Sequence, residues 1–183
     1  MSKTQNQRTA YGEELVVLGQ ENKNIIALDA DLSKSTMSTL FQTAIPDRYF
    51  EFGIAEQNML STAAGFAVSG KILFVNSFAV FVTGRAYDQI RQTIAIGKLN
   101  VKICGSSAGL SDFGDGSTHQ SVEDLAIMNA IPNMTILTPC DAQETRQVVR
   151  AAAEIKGPVY IRLGRNDVPD FIKPEDRFKT GNL

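Results

Sequence analysis

Several stretches of the chain are apolar almost without interruption: NIIALDA (24–30), KILFVNSF (71–78), NVKICGS (100–106), NMTILTP (133–139) and GPVYIRL (157–163). Runs of that length and continuity predict strands covered on both faces, as in parallel sheets. Between them lie AYGEELVVLGQEN (10–22), AEQNMLSTAAGFAVSG (55–70), VTGRAYDQIRQTIAIG (82–97), SVEDLAIMNAI (121–131) and AQETRQVVRAAAEI (142–155), whose apolar positions recur at helical spacing. Strand-helix alternation predicts an α/β domain of three layers, with helices on both faces of a mostly parallel sheet. Asp141, just ahead of the last long helix, is a start signal, because its carboxylate can accept from a free first-turn amide. From Pro169 onward the periodicity stops and prolines and charges gather. Residues 169–183 therefore read as a linker, and 1–168 as the domain.

Composition narrows the classes. A chain of 183 residues, 43% hydrophobic, can bury the core of one domain. Its net charge of −2 offers no basic field for nucleic acid. Cys104 and Cys140 stand far apart, in no metal-ligand spacing, and read as buried thiols of an intracellular protein. The opening MSKTQNQRTAYGEEL has no apolar signal core, and no run approaches the roughly 18 residues of a membrane helix. The expectation is a cytoplasmic chain with neither nucleic-acid nor membrane partners.

A few positions do not fit a plain core. In EFGIAEQNML (51–60), Glu56 heads a helix that is otherwise small and apolar, with no lysine or arginine close in sequence. A carboxylate buried there must be paired, protonated or engaged in chemistry. Phe78 and Phe81 lie one helical turn apart just after a strand, a spacing that suits either a core stripe or a stacking platform for a planar ring. SDFGDGSTHQSVEDL (111–125) holds His119, the only histidine, in a glycine-aspartate loop that can bring backbone amides to a ligand. LDADLSKST (28–36) sets Asp29, Asp31, Ser33 and Ser35 after a strand; Arg8, Arg162 and Arg165 also lie near element ends. Forked guanidinium donors suit phosphate, although each of these groups alone also suits a solvated charge or a cap.

Taken in order, DADLSKST, RYFEFGIAEQNM, SFAVF with RAYDQIR, and GDGSTHQSVEDLAIMNAIPNM resemble the pyrimidine-binding domain of transketolase, a thiamine diphosphate enzyme. RAYDQ is also similar to deoxyxylulose-phosphate synthase. The resemblance implies a thiamine diphosphate-binding fold in which Glu56 touches the ring nitrogen of the cofactor's aminopyrimidine and favours its imino tautomer. It implies that Phe81, with Phe78 beside it, stacks on that ring, and that Asp31 lies near the cofactor. His119, as a second catalytic residue, and Asp115 would contact the sugar's hydroxyl and carbonyl groups. Arg8, Ser35 and Arg165 would contact the substrate phosphate. Ser107 departs from the pattern, standing where transketolase has a histidine.

The Gly114-Asp115-Gly116 triplet is like the one that holds magnesium and diphosphate in thiamine enzymes. The asparagines that should follow it are replaced by PCDAQETRQ, which enters a helix, so no metal site is expected here. The resemblance instead implies a partner, the diphosphate-binding (N-terminal) subunit of a split transketolase, which would hold magnesium. This chain would begin naturally at Met1 and form a homodimer within a heterotetramer; its linker leads to an absent C-terminal domain, so the chain is either truncated or an unusually short subunit. Ketol transfer between phosphorylated sugars is then the expected reaction. Alternatives are synthase-type chemistry, a 2-oxo-acid dehydrogenase beta-type subunit, or a non-catalytic module that kept the fold.

Overall fold

A computed structural model describes residues 4–173 and 175–181. In chain order its elements are β1 (Thr4–Asn6), α1 (Gln7–Glu21), β2 (Ile25–Asp29), α2 (Ser33–Thr36), α3 (Thr39–Ala44), β3 (Tyr49–Glu51), α4 (Glu56–Val68), β4 (Ile72–Phe78), α5 (Ala79–Arg85), β5 (Val101–Ser106), α6 (Asp124–Asn129), β6 (Thr135–Leu137), α7 (Ala142–Glu154), β7 (Val159–Arg162) and β8 (Asp167–Pro169). Six strands form one sheet in the order β3-β2-β4-β5-β7-β6, and every pair is parallel. β1 and β8 form a separate antiparallel ribbon.

The two-residue period of the strands sorts the core into two layers. Ile25, Ala27, Phe74 and Cys104 pack with Tyr11 and Leu15 of α1, Phe41 of α3 and Val148 of α7. Their neighbours Ile26, Leu28, Leu73, Val75 and Ile103 pack with Met59 and Leu60 of α4, Val82 of α5 and Met128 of α6. The expected three-layer α/β/α arrangement is therefore present. Gly12 permits the first layer to close: a Cβ there would lie 2.5 Å from the Met37 carbonyl oxygen.

Each predicted strand forms, a little shorter than its apolar run. Strands β1, β3 and β8 have three residues each and lie in no longer apolar run, unlike the equally short β6, so no pattern registers them. The helix predicted over 82–97 divides in two. α5 starts directly after β4, and Gln89–Ala95 is wound as a π-helix, a rare form often found at functional sites. The helix predicted from 121 starts at Asp124, because Ser121 is held in bridges to Ala108 and Gly109. Cys140 corrects another expectation: it is exposed in the turn before α7, while Cys104 is buried.

Asp141 caps α7 as its position predicts, accepting from the Glu144 amide at 2.8 Å. Its second oxygen accepts from the amides of Phe171 and Ile172, both at 2.7 Å. The Phe178 amide donates to Gln147 Oε1 at 2.6 Å. The segment read as a linker is thus fixed along α7 at these points, and Pro169 still pairs with Thr4.

Lys102 of β5 is fully buried, and its ammonium donates to the carbonyls of Ile155 and Gly157 at 2.5 and 2.9 Å. Burial pushes its pKa down to about 7. Above that pH the unfolded chain holds a proton that the folded chain has lost, so Lys102 makes stability rise with pH. Between pH 7 and 9 the melting temperature of the wild type, measured against Lys102→Met, is expected to climb by several degrees. A flat difference would show the ammonium to be better compensated than its surroundings indicate. The subtraction matters because the raised pKa of Cys104, about 12, acts in the opposite direction at alkaline pH.

Candidate active site

Strand order reverses between β2 and β4: from β2 the chain steps outward to β3, then returns to β4 and continues across the sheet. Ligands of open α/β sheets bind in the crevice at the carboxyl ends of the strands at such a switch point. Here β2 leads into Asp31, β3 leads into Glu56, and β4 ends at Phe78 and leads into Phe81. Residues far apart in sequence meet because the topology places three strand ends side by side.

Glu56 is the first residue of α4 and only 4% exposed. The free amides of the helix start favour a negative charge there. Its carboxylate is paired: Arg85 Nη1 lies 2.8 Å from Glu56 Oε1. Arg85 sits four residues after Phe81 on α5, on the same helix face. Its guanidinium carbon lies over the Phe81 ring, 4.2 Å from the centroid. Phe78 and Phe81 stack with centroids 6.0 Å apart, and His119 meets both rings edge-on, at 6.0 and 5.1 Å. The two aromatics differ in burial. Phe78 belongs to the core, whereas half-buried Phe81 lines a cavity of about 330 Å³ with Asp31, Ile54, Glu56, Arg85 and His119.

Two carboxylates behind the cavity shape its walls. Glu51 Oε1 accepts from the amides of Asp31, Phe52 and Gly53 at 2.7, 3.0 and 3.1 Å, joining the loops after β2 and β3. Asp31 is held in the left-handed region at φ 62°, which aspartate tolerates better than most residues. Asp29 is fully buried and accepts from Leu32 N, Thr36 Oγ1 and Ser38 Oγ at 2.7–2.8 Å. Burial raises its pKa to about 6, with the nearby Glu51 charge adding and these hydrogen bonds opposing.

The remaining predicted residues form a second group. Arg8 Nη1 donates to the backbone carbonyl of Ser35 at 2.7 Å, so Ser35 meets Arg8 through its main chain. Arg165 and Asp115, expected as separate contacts, are bonded to each other at 2.8 Å. Arg165 also holds fully buried Asp112 at 2.5 Å. The hydrogen bond from Arg165 draws the Asp115 pKa down, and both aspartates raise that of Arg165. Burial and the neighbouring Arg165 lower the pKa of Arg8. Two guanidinium groups that oppose each other's charge can both be satisfied by one shared anion.

Arg162 does not join either group; it pairs with buried Asp124 at 2.8 Å beneath the glycine loop. Ser107 is buried at φ 54°, its hydroxyl without a partner among the described residues. Among the described residues, no three His, Cys, Asp or Glu side chains converge as a metal site would require. Sequence reasoning missed Arg85, Glu51 and Asp112. Arg85 carried a signal, its i+4 spacing from Phe81, once α5 is known to begin at Ala79.

Comparisons with known proteins identify the family of the domain. Residues 3–170 match the family described as transketolase, pyrimidine binding domain. A transketolase C-terminal section of Methanocaldococcus jannaschii is 48% identical over 92% of this chain and 54% of that protein. An apulose-4-phosphate transketolase subunit of Phocaeicola vulgatus is 37% identical, over 92% of this chain and 54% of that protein. A solved structure of a split gene transketolase, described as an inactive beta4 tetramer, superposes with a TM-score of 0.86 at 52% identity, covering 97% of this chain and 57% of that one. The chain spans about half the length of these relatives. It belongs to the transketolase pyrimidine-binding domain family.

Proposed function

We propose that this chain is the pyrimidine-binding half of a split transketolase, which moves a two-carbon ketol unit between phosphorylated sugars. Thiamine diphosphate would lie across the interface with a diphosphate-binding subunit, which would hold the diphosphate and magnesium. The observation that carries this reading is the buried Glu56 carboxylate beside Phe81 at the sheet's switch point. An aminopyrimidine needs a flat apolar face and an acid at its ring nitrogen. Phe81 offers the first, Glu56 the second, and the cavity of about 330 Å³ falls within the usual size range for small-molecule sites. The residues present therefore fit the group.

When bound, thiamine diphosphate supplies the nucleophilic carbon and the electron sink. The protein's own residues bind, orient and move protons. Glu56 holds a proton at the pyrimidine nitrogen, Phe81 fixes the ring plane with Phe78 behind it, and Asp31 bounds the cavity. His119, against the Phe81 edge, is placed to exchange a proton with a sugar oxygen. Arg8 and Arg165, supported by Ser35 and Asp115, form the phosphate and hydroxyl contacts farther out.

Supporting the partnership, one relative is named as the C-terminal section of a transketolase and another as a transketolase subunit. On this reading the domain forms a homodimer within a heterotetramer, and residues 169–183 lead to a C-terminal domain, which the greater length of those relatives supports. On this reading the reaction belongs to pentose phosphate carbohydrate metabolism in the cytoplasm.

Arg8→Ala is expected to raise KM for phosphorylated ketoses roughly 10- to 100-fold, the usual value of a hydrogen bond to a charged group. Unphosphorylated ketoses should change far less. Arg165→Lys should do the same more mildly, whereas Arg165→Ala would leave Asp112 buried without its cation and lose stability as well. Equal losses with both substrate types would contradict a phosphate site.

A further inference from the structure

We infer that Arg85 is a displaceable stand-in for the cofactor ring, occupying the pyrimidine position whenever that site is empty. This rests on the assignment of Glu56 and Phe81 to the aminopyrimidine, and it concerns a residue that assignment does not use. The guanidinium meets both requirements of the ring at once. It is planar and lies over the Phe81 face at 4.2 Å, and it bonds Glu56 Oε1 at 2.8 Å. A pyrimidine that stacks on the Phe81 face which Arg85 covers, and bonds the carboxylate oxygen which Arg85 holds, takes the place of the guanidinium and extends into the cavity that the guanidinium borders.

The stand-in has a physical purpose. Glu56 is almost wholly buried, and a buried carboxylate without a partner is strongly unfavourable. Arg85 supplies that partner from the rim, since 49% of its side chain remains exposed while that of Glu56 is only 5% exposed. A long side chain anchored in solvent can swing out at small cost, because water rehydrates its charge. Arg85 is the last residue of α5, and its backbone carbonyl accepts from Gln57 Nε2 at 3.1 Å, so the main chain stays anchored to α4 while the side chain moves. Cofactor entry is then an exchange of one planar partner for another at Glu56 and Phe81.

The consequence is a measurable competition. Arg85 holds its position through one cation-aromatic contact and one half-exposed ion pair. Its removal should tighten cofactor binding about fivefold to tenfold. The test is isothermal titration of thiamine diphosphate with magnesium into the full chain mixed with its diphosphate-binding subunit. Arg85→Ala is expected to bind the cofactor tighter than wild type. Arg91→Ala, which removes an exposed cation outside the cavity, should bind like wild type or slightly weaker. If Arg85→Ala fails to fold, Arg85→Lys keeps a cation for Glu56 but loses the planar stack, and should tighten binding by about twofold. Equal or weaker binding in the folded Arg85 variants, with Phe81→Ala clearly weakened, overturns the stand-in and leaves the pyrimidine site intact. Binding unaffected by Phe81→Ala overturns the site assignment itself, and the inference with it.

Discussion

In the chain assembled with a diphosphate-binding subunit, Glu56→Gln is expected to lower kcat for ketol transfer about 100-fold to 10,000-fold, the range for loss of one positioned proton-transfer group. Glutamine keeps the size of the side chain and an oxygen for Arg85, but it has no acid proton to share. KM for the sugars should stay within about a factor of three, because the lost contact is to the cofactor and not to the substrate. Stability should change little. The substitution removes a buried charge, and the Arg85 it strands is half exposed and solvated by water. Glu56→Ala should harm catalysis as much, and should also open a small void at the head of α4. A kcat within about threefold of wild type in Glu56→Gln would reduce the carboxylate to a helix-start feature.

Dependence on a partner should be just as large. On the proposed reading the chain alone transfers no ketol unit at any concentration of thiamine diphosphate, and activity appears on mixing and saturates near a one-to-one ratio. The surface is consistent with a covered state. Ile54, on the cavity wall, is 74% exposed, and the loop carrying His119 exposes Leu110, Phe113 and Val122 by 68–75%. Large apolar side chains gathered near a site mark an interface more often than a free surface. The check is a coupled assay across mixing ratios, alongside titration calorimetry on the chain alone. Tight, magnesium-dependent cofactor binding without the partner would place the diphosphate site on this chain and contradict the account.

How much of this was legible in the residues follows from what burial does to sequence. β2, β4, β5 and β7 are almost wholly buried, so each reads as an apolar run with few interruptions. Glu56 stood out for the reason that makes it useful, a charge at the head of an apolar helix. β3 did not stand out, because its three residues end in Glu51 and follow Arg48, whereas β6, an equally short edge strand, lies inside the longer apolar run 133–139. The pairing of Glu56 with Arg85 joins positions 29 residues apart, and depends on where β4 stops and α5 begins. Glu51 left no signal at all, since its role is set by three backbone amides whose direction only the folded loops define. Arg165 and Asp115 were each visible as polar groups, but their mutual bond, and the claim of buried Asp112 on the same guanidinium, belong to the loop's fold.

Proton loss at the cofactor tests the central claim most directly, because it isolates the task assigned to Glu56 from sugar binding and product release. The measurement is the rate at which the acidic thiazolium proton of thiamine diphosphate exchanges for deuterium in the assembled complex, by quenched flow with proton NMR readout. The wild-type complex should exchange far faster than free cofactor, and Glu56→Gln should slow that exchange about 100-fold or more. Exchange in Glu56→Gln as fast as in wild type would contradict the account.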